Sequence, residues 1–461
     1  MATAAKKAET CGGGSINSLP DEVLGQILSF VPTKLAASTS VLSKRWRNLL
    51  PLAQNLDFDE SANRGSTASG RGFLDFVERT LVSMGDSPIK TVSLRGISYI
   101  DDSRYNHLVG NVLGRGILEL HLASSCIRYI EPEFFFSKTL VKLTLSDGYN
   151  DQNKPFPGGV LFPALKSLSL IRVWFDDFLY GDDLYECLLS SPLLEEFNIC
   201  DDDPLQSGCL KRVRSSSIQR ISLFHRCHDR EACSWVLFET PNLVYLDYSG
   251  YVAENYVVEL DSLVEARLDL VLWKHNDSVP PLYDSTTWGD AWGADKLIAA
   301  ISNVVTLHLS ADSLEVFYCC STSMPEFNNL AKLSFESHKE RHWQVLPLLL
   351  ENAPNLETLV IKGLVHKITK GCGDVCVCER VTKKRKKQSC LLSCQVKVLQ
   401  IYEYGGSCRE LKQMRHFMEN LRCLEVVKVK LQVDMQENSS LTDKLQKLFH
   451  TASSKCKIQF I

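Results

Sequence analysis

No apolar run in the 461 residues approaches the ~18 positions that a membrane-crossing helix needs. The first stretch, M-A-T-A-A-K-K-A-E-T-C-G-G-G-S at 1–15, has no apolar segment of the kind a secretory signal requires, and reads as a flexible leader. There is no surplus of positive charge either: 51 Lys and Arg against 55 Asp and Glu leave a net charge of −4. That balance offers no electrostatic basis for general nucleic-acid binding. Signatures of catalysis are missing. The chain contains no G-x-x-x-x-G-K-S/T, no G-x-S-x-G and no H-E-x-x-H. Asp201, Asp202 and Asp203 are adjacent on a turn with no partner acid in view, and His225 beside Cys227 is a chance pairing in a chain with 11 histidines. The 17 cysteines are scattered and follow no export signal, so reduced thiols in the cytoplasm or nucleus are expected.

What the chain does have begins at Ile16. Residues 16–50 carry three short helical patterns packed end to end. Ser18 and Asp21 have the spacing of a helix start signal, and Val23, Leu24, Ile27, Leu28 and Val31 recur at helical intervals until Pro32 stops them. A second short piece follows Thr33. A third, after Ser40, places Leu42, Trp46 and Leu49 at helical spacing beside Lys44, Arg45 and Arg47. So small a unit cannot bury this much apolar surface alone, and the surplus is expected to meet another protein.

The same stretch, read as L-P-D-E-V-L, I-L-S-F-V-P-T-K and S-V-L-S-K-R-W-R-N-L, resembles the F-box of plant proteins. The resemblance runs from Ile16 to about Phe58 and takes in L-D-F-D at 56–59. It departs from the family at Leu50-Pro51-Leu52, where a tryptophan often stands. It implies docking on a Skp-type adaptor and, through it, on a cullin in an SCF ubiquitin ligase. The residues it nominates as adaptor-facing or module-supporting are Leu19, Pro20, Ile27, Leu28, Leu42 and Trp46.

From residue 89 one pattern returns, a short strand with apolar residues at alternate positions. The copies are I-K-T-V-S-L at 89–94, I-L-E-L-H-L at 117–122, L-V-K-L-T-L at 140–145, L-K-S-L-S-L at 165–170 and L-E-E-F-N-I at 194–199. They continue with I-Q-R-I-S-L at 218–223, L-V-Y-L-D-Y at 243–248, L-V-E-A-R-L at 263–268 and N-V-V-T-L-H-L at 303–309. The remaining ones are L-A-K-L-S-F at 330–335, L-E-T-L-V-I at 356–361, V-K-V-L-Q-I at 396–401 and L-E-V-V-K-V at 424–429. Most neighbours lie roughly 20–29 residues apart, the leucine-rich-repeat period. The expected architecture is α/β: a curved parallel sheet with its leucines inward and helices on the convex side. Helical connectors are expected at 183–192, 232–241 and 343–354, each ended by a proline. The asparagine or cysteine ladder of stricter repeats is mostly missing, so the solenoid is read as irregular.

L-L-S-S-P-L-L-E-E-F at 188–197, echoed by L-L-E-N-A-P-N-L-E-T-L at 349–359, resembles the plant F-box/LRR/FBD group. C-L-L-S-C-Q-V-K-V-L-Q-I at 390–401 and a helical stretch over 410–429 resemble its FBD region, with Leu411, Met414, Phe417, Met418 and Leu421 on one, core-facing side. The organisation read from the chain is a leader (1–15), an F-box (16–58), a connector (59–88), a repeat solenoid (89–370), a Cys/Lys-rich inserted loop (371–389) and FBD-like terminal repeats (390–461).

Two insertions stand out. Cys372, Cys376, Cys378, Cys390 and Cys394 are spaced C-x3-C-x-C and C-x3-C with only His366 near them. Zinc knuckles use tighter pairs, so exposed reduced thiols and no bound metal are expected. The K-K-R-K-K run at 383–387 has the composition of a nuclear-import signal, although charge runs are commonly solvated loops. The stretch over 271–300 carries Trp273, Trp288 and Trp292, suited either to its own solenoid or to a partner. Target-binding candidates are Trp288 and Trp292 together with the concave-face positions Lys142, Thr144, Ser169, Asn198, Arg220, Ser222, Asp247 and His308. The concave-face positions, small and mixed in charge, fit a protein surface better than a phosphate cradle. The expected role is a non-catalytic substrate-recognition subunit of an SCF ligase, without cofactor. A non-degradative scaffold and a small-molecule-responsive receptor are the alternatives.

Overall fold

The structure, a computed structural model, describes residues 16–60, 69–97, 102–126, 128–129, 137–150, 162–173, 183–201, 212–225, 235–273, 293–320, 324–369, 372–377, 390–432 and 456–461. The chain divides into two compact units, Met1–Gln152 and Asn153–Ile461.

In the first unit the helices Asp21–Leu28 and Thr33–Ser38 lead through short 3-10 turns into strand β1 (Asn55–Asp59). Then come β2 (Thr91–Ile97), β3 (Glu119–Ser124), the two-residue β4 (Arg128–Tyr129), β5 (Lys142–Ser146) and β6 (Tyr149–Asn150). β1, β2, β3 and β5 form parallel neighbours in that order, and β4 pairs with β6. The stretch read as a connector contains the helix Ser69–Ser83, which joins β1 to β2 as the crossover that parallel strands require. A second helix, Asp102–Gly114, joins β2 to β3. Arg104 spans the two helices, reaching Asp75 at 2.6 Å and Glu78 at 2.7 Å.

In the second unit the main sheet contains β7 (Ser167–Ile171), β8 (Glu196–Asp201), β10 (Arg220–His225), β12 (Tyr245–Tyr251), β14 (Glu265–Val271) and β15 (Thr306–Leu309). It continues through β16 (Lys332–Glu336), β17 (Thr358–Lys362), β18 (Val398–Tyr404), β19 (Val426–Leu431) and β20 (Lys457–Phe460). Every pairing between successive members is parallel. One row in register runs Leu168, Phe197, Ile221, Leu246, Ala266, Leu307, Leu333, Leu359, Leu399 and Val427, and every member is buried. This is the period-2 alternation of the sequence made into a core.

Each strand read from the sequence is present but begins two residues later, three in the 303–309 copy. The reason lies in the hydrogen bonds at the entry to each repeat. The carbonyl of the residue just before a strand accepts two successive N–H groups from the next repeat: Val244 takes those of Val264 and Glu265, and Ala331 those of Glu357 and Thr358. The backbone is still turning there while its leucine is already buried. A sparse asparagine ladder accompanies these turns, with Asn242 donating to the Ser216 carbonyl at 2.7 Å and Asn355 to that of Asn328 at 2.8 Å.

Among the expected connectors, 183–192 contains the helix Asp183–Leu189 and 343–354 the helix Leu346–Glu351. The third expectation is overturned. Within 232–241 lies strand β11 (Trp235–Glu239), which joins β9 (Arg212–Arg214) and β13 (Asn255–Glu259) in a second parallel sheet. Its Val236 and Phe238 are buried while Trp235, Leu237 and Glu239 are half-buried. A β-branched and aromatic run with period-2 burial favours a pleated surface over a helix. The helical stretch expected over 410–429 is shorter, Cys408–Asn420, and gives way to β19. Ser407 and Glu410 form a capping box at its start. Met414, Phe417, Met418 and Leu421 are buried as expected, with Leu411 half-buried.

Candidate partner-binding surfaces

The helical module at the start of the described chain is small, and its core is correspondingly small. Leu24, Leu28, Ala36, Trp46, Leu49 and Ala53 make one buried cluster, with Leu19, Val31 and Leu50 packed against it. Pro20 precedes the helix Asp21–Leu28 at its N-cap position, where a missing N–H costs nothing. Arg45 holds that end in place, its Nε donating to Asp21 at 2.7 Å and its guanidinium also to the Leu19 carbonyl. Gly25 faces Leu52 so closely that a Cβ built on it would lie 2.5 Å from Leu52 Cβ. Two side chains fasten the module to β1 and the residue before it: Ser29 Oγ accepts from Gln54 N at 2.9 Å, and Thr33 Oγ1 from Asp57 N at 2.8 Å.

The third helix expected after Ser40 is not α-helical. It is a run of 3-10 turns, Thr39–Val41, Trp46–Asn48 and Leu50–Leu52. Ser43 Oγ accepts from Trp46 N at 3.4 Å, a local bond that competes with helix, and Pro51 removes a donor beyond it.

This geometry separates the six residues nominated for the adaptor. Leu28 and Trp46 are core, Trp46 at 7% exposure, and Leu19 is packed on that core. Pro20, Ile27 and Leu42 are exposed, the last at 66%. The helical stripe read from the sequence splits as well: Leu24 and Leu28 point inward, whereas Val23 and Ile27 face out. The largest outward apolar groups had not been singled out. Phe30 is 85% exposed and Val41 82%, and Leu35 is also exposed. A usable signal existed, because Phe30 falls two positions after Leu28 and so lies off the i, i+4 stripe.

On the second unit's sheet, the outward candidates Ser169, Asn198, Ser222 and Asp247 occupy one register row, which continues through Arg267 to His308. Arg220 belongs to the next row, beside Tyr245 and Glu265. Asn198 donates to Ser169 Oγ at 2.9 Å. Around Tyr245 a charged cluster forms. The Arg220 guanidinium lies 4.1 Å over its ring and that of Arg267 5.8 Å away. Its hydroxyl reaches Asp247 at 3.4 Å. Glu265 accepts from Arg267 at 3.0 Å and lies 3.4 Å from His308 Nε2. Burial pushes the Asp247 carboxyl up, and burial together with Arg267 lowers His308 to about 4. The imidazole is therefore neutral near pH 7, and two guanidinium groups meet two acidic groups. Tyr245, Glu265 and Arg267 were not foreseen, because only the register brings them together. Lys142 and Thr144 lie on the first unit, in register with Glu119 and His121, Lys142 exposed and Thr144 half-buried.

Trp288 and Trp292 lie outside the described residues, as do the basic run 383–387 and Cys378. Trp273 is described, and it packs on its own repeats: it stacks on Tyr251 at 4.2 Å and donates to the Val252 carbonyl at 2.9 Å. His225, weighed above beside Cys227, has Asp201 across the β8–β10 register at 3.5 Å.

The expectation of exposed thiols at 372–394 is overturned, since Cys372, Cys376, Cys390 and Cys394 are all buried. They separate into two environments. A hydrogen bond from Cys376 holds the Cys372 thiol well below its ordinary value, assisted by His366, Thr369 and the Trp343 backbone against the cost of burial. Burial pushes Cys394 up to about 12 and, with Asp374 beside it, raises Cys390 further. Four buried cysteines spread over more than twenty positions of sequence need the rest of the chain folded around them.

Comparison with known proteins agrees with this layout. The F-box domain model matches residues 16–51. An F-box protein of Arabidopsis thaliana is 49% identical over 464 residues, covering 97% of this chain and 98% of that one. An F-box/LRR-repeat protein of the same plant is 45% identical over 491 residues, covering 97% and 98%. Another is 43% identical over 472 residues, covering 97% and 99%. Proteins carrying an F-box are generally substrate adaptors of SCF ubiquitin ligases, typically with no catalysis of their own. From the matched module, the long parallel sheet and these near full-length relatives, the chain belongs to the plant F-box/LRR-repeat family.

Proposed function

We propose that this chain is the substrate-recognition subunit of an SCF-type ubiquitin ligase. Its N-terminal module binds a Skp-type adaptor and, through it, a cullin, and its repeats hold a target protein. The observation that carries this reading is the apolar surface left on a module of about 35 residues, where Phe30, Leu35, Val41 and Leu42 all stand exposed. Their removal from water on docking supplies roughly 1.5–3 kcal/mol for each fully covered side chain. Catalysis belongs to partners. This subunit acts by raising the local concentration of target lysines near a charged ubiquitin carrier. The cluster around Tyr245 supports a protein target, because its two guanidinium and two acidic groups favour no single sign of ligand charge.

The test pairs Phe30→Asp with Leu42→Asp in the full chain. Both side chains are exposed, so thermal melting should stay within the small range of surface substitutions. Capture of a recombinant Skp-type adaptor should weaken at least tenfold. Adaptor capture at wild-type strength would refute the assignment of this surface. Reconstitution with cullin, ubiquitin carrier and a captured target then separates a ligase subunit, which transfers ubiquitin, from a scaffold, which does not.

A further inference from the structure

His366, Cys372 and Cys376 are buried together in the second unit, and one ligand atom from each lies within 4.8 Å of the others. A tetrahedral zinc ion bonded at ~2.3 Å to sulfur and ~2.0–2.1 Å to nitrogen sets its ligand atoms about 3.5–3.8 Å apart. The three groups therefore stand close to that arrangement and need only a small closure. Two thiols and an imidazole are a soft donor set that selects zinc over the hard cations, which prefer oxygen.

The surroundings hold each donor in place. The His366 ring stacks on the buried Trp343 at 3.9 Å and 13°, which fixes its plane, and Arg409 donates to the His366 carbonyl at 2.7 Å. The turn 372–377 bearing both cysteines is clamped from the helix Cys408–Asn420. Gln413 donates to the Val375 carbonyl at 2.7 Å and accepts from Val377 N at 3.1 Å, while His416 bonds the Asp374 carbonyl at 2.6 Å. Gly373 has φ +60°, and a Cβ there would approach Pro347 Cγ at 2.9 Å, so a side chain at this turn would be both strained and crowded. Ring stacking and backbone clamping of this kind hold the ligand-bearing segments in place before an ion arrives, which lowers the ordering cost of binding it.

We propose that His366, Cys372 and Cys376 form a structural zinc site that ties the turn 372–377 to the segment bearing His366, just after β17. The described residues fill three of the four tetrahedral positions. Because the ligands come from two places in the chain and the clamp from a third, the ion binds the folded arrangement and stabilises it.

The test uses the full chain, purified under reducing conditions, equilibrated with zinc and freed of excess by gel filtration. Wild-type protein should retain about one zinc per chain, and chelation should lower its Tm. The Cys372→Ser/Cys376→Ser double variant should retain only background zinc and show no chelator effect. A Cys408→Ser control, at an exposed cysteine, should behave as wild type. If the double variant fails to fold, Cys376→His decides instead: it keeps a ligand, so the metal should stay while the thiolate-to-cobalt charge-transfer band of the Co²⁺ form weakens. Wild type that retains no zinc would overturn the proposal. So would zinc kept by a folded double variant, an unchanged Co²⁺ band in Cys376→His, or a loss of two hydrogens showing Cys372 and Cys376 joined as a disulfide without metal.

Discussion

Single residues in this chain act through what they touch, and type alone misassigns some of them. Leu19 and Leu42 carry the same side chain and were nominated together, yet Leu19 rests on the module core while Leu42 stands in solvent. A charge at Leu19 would weaken adaptor capture by damaging the core, so it cannot report on the interface. Gly25 makes a sharper case. Mid-helix glycine is ordinarily worse than alanine by about 1 kcal/mol, and sequence reasoning alone would count Gly25→Ala as stabilising. Here the added methyl would meet Leu52 Cβ at 2.5 Å and the Leu52 carbonyl oxygen at 2.9 Å. Backbone does not yield as a flexible side chain does, and overpacking of this kind costs ~1–3 kcal/mol. The expected outcome is net loss, read as faster amide exchange across Asp21–Leu28 and a lower melting temperature. Exchange as slow as in wild type would show that the close approach relaxes freely.

At the scale of elements, the repeats were legible because each strand writes its burial directly into alternate positions. Leu168 and Leu170, or Leu333 and Phe335, are buried on every second residue. The connectors were less legible. Val236 and Phe238 in β11 sit on a segment too short for its period to be told from a helical turn, and only pairing with β9 and β13 makes it a strand. The turn 372–377 was misjudged for a different reason. Its partners Gln413 and His416 lie far along the chain, and no local pattern announces them. Removal of an inserted loop outside the core would leave melting nearly unchanged. With the clamp described, excision of residues 371–389 removes Cys372 and Cys376 and leaves the buried Gln413 amide without its two backbone partners. Stranding buried polar groups costs ~1–3 kcal/mol each, so the excised chain should melt at a distinctly lower temperature. Melting within error of wild type would mean that the helix Cys408–Asn420 does not depend on the turn.

On the scale of the whole molecule, the first unit joins the helical module to the sheet more closely than a linker would. β1 follows the last 3-10 turn directly, pairs with β2 in register from Asn55 and Thr91, and buries Leu56 and Phe58. A fragment of residues 60–461 therefore loses more than the adaptor-binding helices. It bares the β2 edge, a template for aggregation, and it forfeits roughly 1.5–3 kcal/mol for each of the two buried side chains. A fragment of residues 54–461 keeps β1. The expectation is that 54–461 stays monomeric and melts cooperatively, whereas 60–461 melts lower and associates. Both should fail to capture the adaptor. Equal melting and solubility of the two fragments would show that β1 belongs to the helical module and not to the sheet.

The linear order of residues determined the repeated strand and the apolar surplus of the N-terminal module, because each of these depends on near neighbours. Alternation, helical spacing and motif are local properties, and they survive whatever the rest of the chain does. The outward turn of Phe30 and Val41, the meeting of Arg220, Tyr245 and Arg267, and the gathering of His366 with Cys372 and Cys376 were decided only by tertiary structure. Parallel pairing brings together side chains some 20–45 positions apart, with a register set by backbone hydrogen bonds that every residue except proline can make. Side-chain identity does not encode that register locally, so the groups it assembles become visible only once the strands are paired.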